Sequence, residues 1–142
     1  MVNRIFLDIN IVIDYVEERP NELDAIKEII YLAQLQKFEI FISESVIATS
    51  IYLLKKQNID ALSVLREICK IAGVVPFSKD VLYYPIEKYK HTEDGLLYFL
   101  AYKTKMNYFI SRNVKDFTFV FPSLPVINPT NFLKEIYLND IP

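Results

Sequence analysis

The segment Arg4-Ile5-Phe6-Leu7-Asp8-Ile9 constrains the fold most, being a short apolar run without polar alternation that ends in an acid. A strand with one face in water alternates apolar and polar side chains. A continuous run therefore reads as a strand buried on both faces, as in a parallel sheet covered by helices. Phe38 to Ile42, Val74 to Phe77, Asn107 to Ser111 and Val126-Ile127 read as further short strands, with Pro76 placing the Val74 strand at an edge or a strand end.

Helical patterns fill the gaps. Ile11 to Val16 suits a short helix. Pro20, Glu22 and Asp24 mark the start of another, with Leu23, Ile26, Ile29, Ile30, Ala33 and Leu35 at spacings of three and four. Ser43 is a candidate N-cap for a helix to about Gln57, and Asp60 to Ile71 reads as a helix with Gly73 as its C-cap. Ser78 to Tyr89 is expected to be helical with a kink at Pro85, Thr92 to cap Glu93 to Lys103, and Thr130 to Leu138 to form the closing helix. Alternating strands and helices predict an α/β domain, a three-layer α/β/α sandwich around a central parallel sheet. Its functional residues should lie at the strand C-ends.

The 142 residues fit a single domain over 1–142, and 52% hydrophobic residues suffice for a substantial core. Two glycines exclude glycine-rich phosphate cradles. A net charge of −2 argues against nucleic-acid binding by bulk electrostatics, while a local basic rim stays compatible with it. Cys69 has no partner for an internal disulfide and reads as a buried structural thiol. No apolar run approaches the roughly 18 residues of a membrane span, and the N-terminus lacks a signal-peptide pattern, so a cytoplasmic location is expected.

Asp8 ends a buried strand, where a carboxylate is costly unless a cation or hydrogen bonds satisfy it. Capping of the next helix is the plainer role for such a residue. Asp94 lies in the first turn of the Thr92-capped helix, where dipole capping would explain it. Yet the helix that follows is apolar almost all round, so this acidic start points at the sheet edge. Glu93 beside it reads as solvated. Ser111-Arg112-Asn113-Val114-Lys115-Asp116 follows a parallel-type strand, where ordinary turn formers and active-site residues both gather. Two or three carboxylates with an amide are the oxygen set that Mg²⁺ or Mn²⁺ prefers, and no cysteine–histidine cluster suggests zinc. His91 reads as a loop residue, and Tyr83, Tyr84, Tyr98 and Tyr102 as core or a subunit interface.

These motifs resemble the PIN-domain ribonucleases, including toxins of the VapC type. Phe6-Leu7-Asp8-Ile9-Asn10-Ile11-Val12-Ile13-Asp14 is similar to "LLDTNVLLD", Glu93-Asp94-Gly95-Leu96 to "EDAL", and Phe109-Ile110-Ser111-Arg112-Asn113-Val114-Lys115-Asp116-Phe117 to "IVTRNVKDF". Ile42-Ser43 leading into Ala48-Thr49-Ser50-Ile51-Tyr52 lies between them. The resemblance implies a PIN-like fold and a metal-dependent endoribonuclease using Mg²⁺ or Mn²⁺. It makes Asp8, Asp94 and Asp116 catalytic metal ligands, with Asn10 orienting the first and Ser111 and Asn113 lining the pocket. It further implies RNA as substrate, an antitoxin protein as partner and a homodimer. Arg112 and Lys115 are candidates for the RNA backbone, with Lys55, Lys56 and the Lys88, Lys90, His91 group as further basic residues.

The chain departs from the pattern at three places. Ile9 replaces a small hydroxyl residue, Ser50 stands where counting back from Tyr52 puts a glutamate, and Asn113 stands where an aspartate is frequent. Glu44 is more than a helical turn from Ser50 and substitutes poorly. A second reading is therefore a catalytically weakened PIN-like RNA- or protein-binding module. A third, a phosphatase or receiver-type domain using Asp8 as nucleophile, lacks the paired acid it would need.

Overall fold

A computed structural model describes residues 3–117 and 124–139. Five strands, β1 (Arg4–Leu7), β2 (Glu39–Ser43), β3 (Gly73–Val75), β4 (Tyr108–Ile110) and β5 (Val126–Ile127), form one sheet. Its order is β3-β2-β1-β4-β5, and every pairing is parallel. The helices are α1 (Ile9–Glu17), α2 (Leu23–Gln34), α3 (Glu44–Lys55), α4 (Leu62–Ile68), α5 (Thr92–Lys103) and α6 (Pro129–Leu138).

Consecutive residues of the central strands are buried, Ile5, Phe6 and Leu7 in β1 and Phe109 and Ile110 in β4. Adjacent strand residues point to opposite faces, so both faces are covered, and the fold is the expected α/β/α sandwich with a PIN-like topology. From β1 the chain winds outward to β2 and β3, then returns to the other side of β1 for β4 and β5. The β1–β4 junction is thus the switch point, where side chains beyond the strand C-ends face an open crevice. Register continues past both strands there: the Asp8 amide donates to the Ile110 carbonyl (2.9 Å) and the Ser111 amide to the Ile127 carbonyl (3.0 Å).

Several local expectations need correction. Gly73 caps no helix; it begins β3, and a Cβ there would lie 2.6 Å from the Phe41 ring. The helix read over Asp60 to Ile71 is the shorter α4, preceded by Asp60 accepting the Leu62 amide (3.1 Å). Ser78 to Tyr89 is not an α-helix but two 3₁₀ turns, Lys79–Tyr83 and Ile86–Lys88, on either side of Pro85, which cannot supply the amide a continuous helix needs. Thr92 is the first residue of α5, and His91 holds the N-cap position without a side-chain bond to the helix. Cys69 is only half-buried. Ser43 caps α3 as read, accepting the Val46 amide (3.0 Å), and Asn128 caps α6.

An aromatic cluster anchors the elements that carry the site. Tyr98 of α5 packs on Phe109 of β4, and Phe109 on Phe117 and Phe6, with ring centroids 5.9, 4.9 and 5.4 Å apart. Tyr98 also donates its hydroxyl to the Leu124 carbonyl (3.0 Å). Tyr83, by contrast, is largely exposed. Among the described residues no helix is long and apolar enough to cross a membrane.

Candidate functional site

Asp8, at the C-end of β1, caps α1. Its Oδ1 accepts the Ile9 amide (2.8 Å), and its Oδ2 accepts the Ser111 hydroxyl (2.8 Å) and the Asn10 amide group (3.1 Å). The residue is 1% exposed. Burial pushes its carboxyl above the ordinary range, against the pull of these hydrogen bonds and of Arg112.

Asn10 and Ser111 tie the β4 end to α1. The Asn10 amide group also reaches the Ser111 hydroxyl (3.3 Å), and its carbonyl accepts the Arg112 amide (3.0 Å). The Ser111 hydroxyl in turn accepts the Asn113 amide (3.1 Å). Asn113 contributes that backbone bond while the residue itself is exposed. Arg112, a candidate for RNA, turns inward. Its guanidinium donates to buried Asp14 (2.7 Å), which Arg19 also approaches at 3.7 Å. Burial outweighs these cations and holds the Asp14 carboxyl above its ordinary value. Lys115 is exposed on the 3₁₀ turn Val114–Phe117 beside Asp116.

Asp94, Asp116 and His91 converge. One ligand atom from each lies within 4.8 Å of the others, at the start of α5 and on the 3₁₀ turn after β4. Burial, the Asp8 charge, and the Asp116 and Glu93 charges raise the Asp94 carboxyl to about 6, with His91 pulling the other way. Asp8 thus lies in electrostatic range of this cluster, although its oxygens fall outside the 4.8 Å group. Lys90 and His91 approach Asp116 at 3.9 and 3.8 Å. Mutually repelling carboxylates in a half-buried crevice are the setting that a divalent cation relieves. The donor set, carboxylate oxygens and one imidazole, fits such an ion.

Beside the acids runs a mainly apolar cleft of about 340 Å³, lined by Ile9, Val46, Thr49, Leu53, Phe77 and Asp94 among others. Thr49 lines it along with other α3 residues, while its neighbour Ser50 does not. Ser50 is fully buried, with its hydroxyl lacking a hydrogen-bond partner. Glu44 accepts the Phe77 amide (2.7 Å). Sequence reasoning missed Thr49, and it named His91 near the site without grouping it with the acids. The available signal for His91 was its place three residues before Asp94, which puts both on one side of a first helical turn.

In sequence the chain is 29% identical over 138 residues to "Ribonuclease VapC1" of Aquifex aeolicus (strain VF5), covering 92% of this chain and 94% of that protein. In structure it is similar to VapBC2 from Rickettsia felis, solved with a promoter DNA fragment. The TM-score is 0.70 at 20% identity, over 88% of this chain and 98% of that one. The chain is thus similar in sequence and in fold to VapC-like PIN-domain proteins. A toxin–antitoxin complex from Klebsiella pneumoniae is also similar, with a TM-score of 0.62 at 21% identity over 87% of this chain and 96% of that one. No family model matches the sequence. In this chain Asp94 and Asp116 lie together near Asp8, and Thr49 lines the adjoining cleft without a charge.

Proposed function

We propose that this chain is a metal-dependent endoribonuclease, the toxin of a toxin–antitoxin pair, with Mg²⁺ or Mn²⁺ held by Asp94, Asp116 and Asp8. The observation that carries the reading is the convergence of Asp94 and Asp116 at the sheet's switch point, within range of the Asp8 charge. The relative named as a ribonuclease and the neighbours solved as toxin–antitoxin assemblies support it.

A bound divalent ion would supply an activated water and offset charge on the phosphate oxygens. The chain's own residues do the positioning. Ser111 and Asn10 fix the rotamer of Asp8, and Phe117, packed on Phe109, seats the turn that presents Asp116. Lys115 and Lys90, both exposed, suit contacts to the RNA backbone. Arg112, committed to Asp14, acts mainly by holding the β4 loop against α1. The apolar cleft, with Leu53 and Phe77 partly exposed beside the acids, suits a protein partner such as an antitoxin. A homodimer and a cytoplasmic location accompany this reading.

The second reading, a catalytically weakened RNA- or protein-binding module, is favoured by Ser50 and Asn113 standing where acids are expected, and by Thr49 lining the cleft without a charge. An RNA cleavage assay with Mn²⁺ or Mg²⁺ separates the two. Cleavage lost in both Asp8→Asn and Asp94→Asn supports the nuclease. Cleavage that survives both substitutions rejects it, and metal-independent RNA binding without cleavage supports the module.

A further inference from the structure

We infer that His91 is a nitrogen ligand of this centre and makes it select Mn²⁺ and later divalent transition ions over Mg²⁺. The inference rests on the metal-dependent reading above and concerns which ion the site takes.

Placement comes first. His91 occupies the N-cap position of α5 yet makes no side-chain bond to that helix, so capping does not account for its ring. Its Nε2 lies 3.8 Å from Asp116 Oδ2, beyond hydrogen-bond length. The imidazole is thus directed at the carboxylates without being consumed by them. About half of its side chain is exposed, so the ring nitrogen is open to an arriving ion. Asp94 sits one turn along the same helix and Asp116 on the facing 3₁₀ turn, and the three ligand atoms share one 4.8 Å group.

Composition of the crevice comes second. Thr49 faces the cleft without a charge, and Asn113 is exposed. The imidazole adds a neutral donor where carboxylates are few. That exchange changes the chemistry. Mg²⁺ is a hard ion that takes oxygen ligands and gives up water reluctantly. Affinity at a site containing nitrogen rises along the first transition row from Mn²⁺ onward, and imidazole is a ligand those ions accept. Lys90, 3.9 Å from Asp116 and mostly exposed, can swing away when an ion enters.

The test is Mn²⁺ binding to the whole chain, followed by electron paramagnetic resonance, with Mg²⁺ as competitor. Wild type is compared with His91→Gln, which changes a half-exposed residue. The wild type should show ¹⁴N coupling to bound Mn²⁺ and prefer Mn²⁺ to Mg²⁺ by about tenfold or more. His91→Gln should lose the nitrogen coupling and about tenfold in Mn²⁺ affinity, while Mg²⁺ affinity stays within about twofold. Mn²⁺ bound without nitrogen coupling, or with equal affinity in both proteins, overturns the role of His91 and leaves the metal-dependent reading standing. No Mn²⁺ bound by wild type at millimolar concentration overturns both.

Discussion

Three donors, from Ile9, Asn10 and Ser111, converge on Asp8 and leave its Oδ1 with a single hydrogen bond. Its orientation is therefore set by neighbours, Ser111 among them. Ser111→Ala should lower metal affinity and cleavage by about 10–100-fold and the thermal midpoint by several degrees, because buried Asp8 and the Asn113 amide each lose a partner. Isothermal titration with Mn²⁺ checks this, and unchanged affinity would show that Asp8 needs no such support. A paired substitution on α3 tests which residue faces the acids. Thr49→Glu places a carboxylate in the cleft and should strengthen Mn²⁺ binding about tenfold. Ser50→Glu buries an unpaired charge and should cost about 3–5 kcal/mol of stability. Chemical denaturation and metal titration of the two variants separate the positions.

At the scale of elements, α5 carries the site only because it can approach the preceding 3₁₀ turn closely. A Cβ on Gly95 would lie 2.8 Å from the Ile86 carbonyl, which is backbone and cannot rotate away. Gly95→Ala should push the start of α5 off that turn at a cost of about 1–3 kcal/mol and weaken metal binding by displacing Asp94. A variant as stable and as tight as wild type would contradict this. Here the limits of the sequence are visible. The β1 run, the Ser43 cap, Asp8 at a strand end and Asp94 in a first turn were legible because they depend on local pattern. Gly73 was misread because its reason for being glycine is the Phe41 ring, 32 positions away in the chain. The place of His91 among the acids and that of Thr49 in the cleft escaped for a related cause. Whether a loop imidazole or a helix hydroxyl faces a crevice depends on how α3, α5 and the 3₁₀ turns pack, and a one-residue offset separates Thr49 from buried Ser50.

For the whole molecule, the crevice stores charge repulsion that should appear in stability. Asp94 titrates near 3.8 when unfolded and about 6 when folded, so between these values the folded state holds more protons. Stability without metal should then fall as pH rises through that window and level off above about 6. The raised carboxyls of Asp8 and Asp14 act in the same direction. Mn²⁺ should raise the thermal midpoint by a few degrees above pH 6 and by much less at pH 5, because protons and metal compete for the same oxygens. Midpoints recorded with chelator and with Mn²⁺ across this range test the sign, and a metal-free midpoint rising from pH 4 to 6 would contradict it.

The central claim, a divalent ion held between Asp94 and Asp116 to cut RNA, is tested most directly by single-turnover cleavage across a Mn²⁺ titration in wild type and Asp94→Asn. Wild-type cleavage should rise with Mn²⁺ and saturate, and be abolished by chelation. Asp94→Asn should lose about 100-fold or more at every concentration. Equal cleavage by the two proteins, or cleavage indifferent to chelator, would contradict the account.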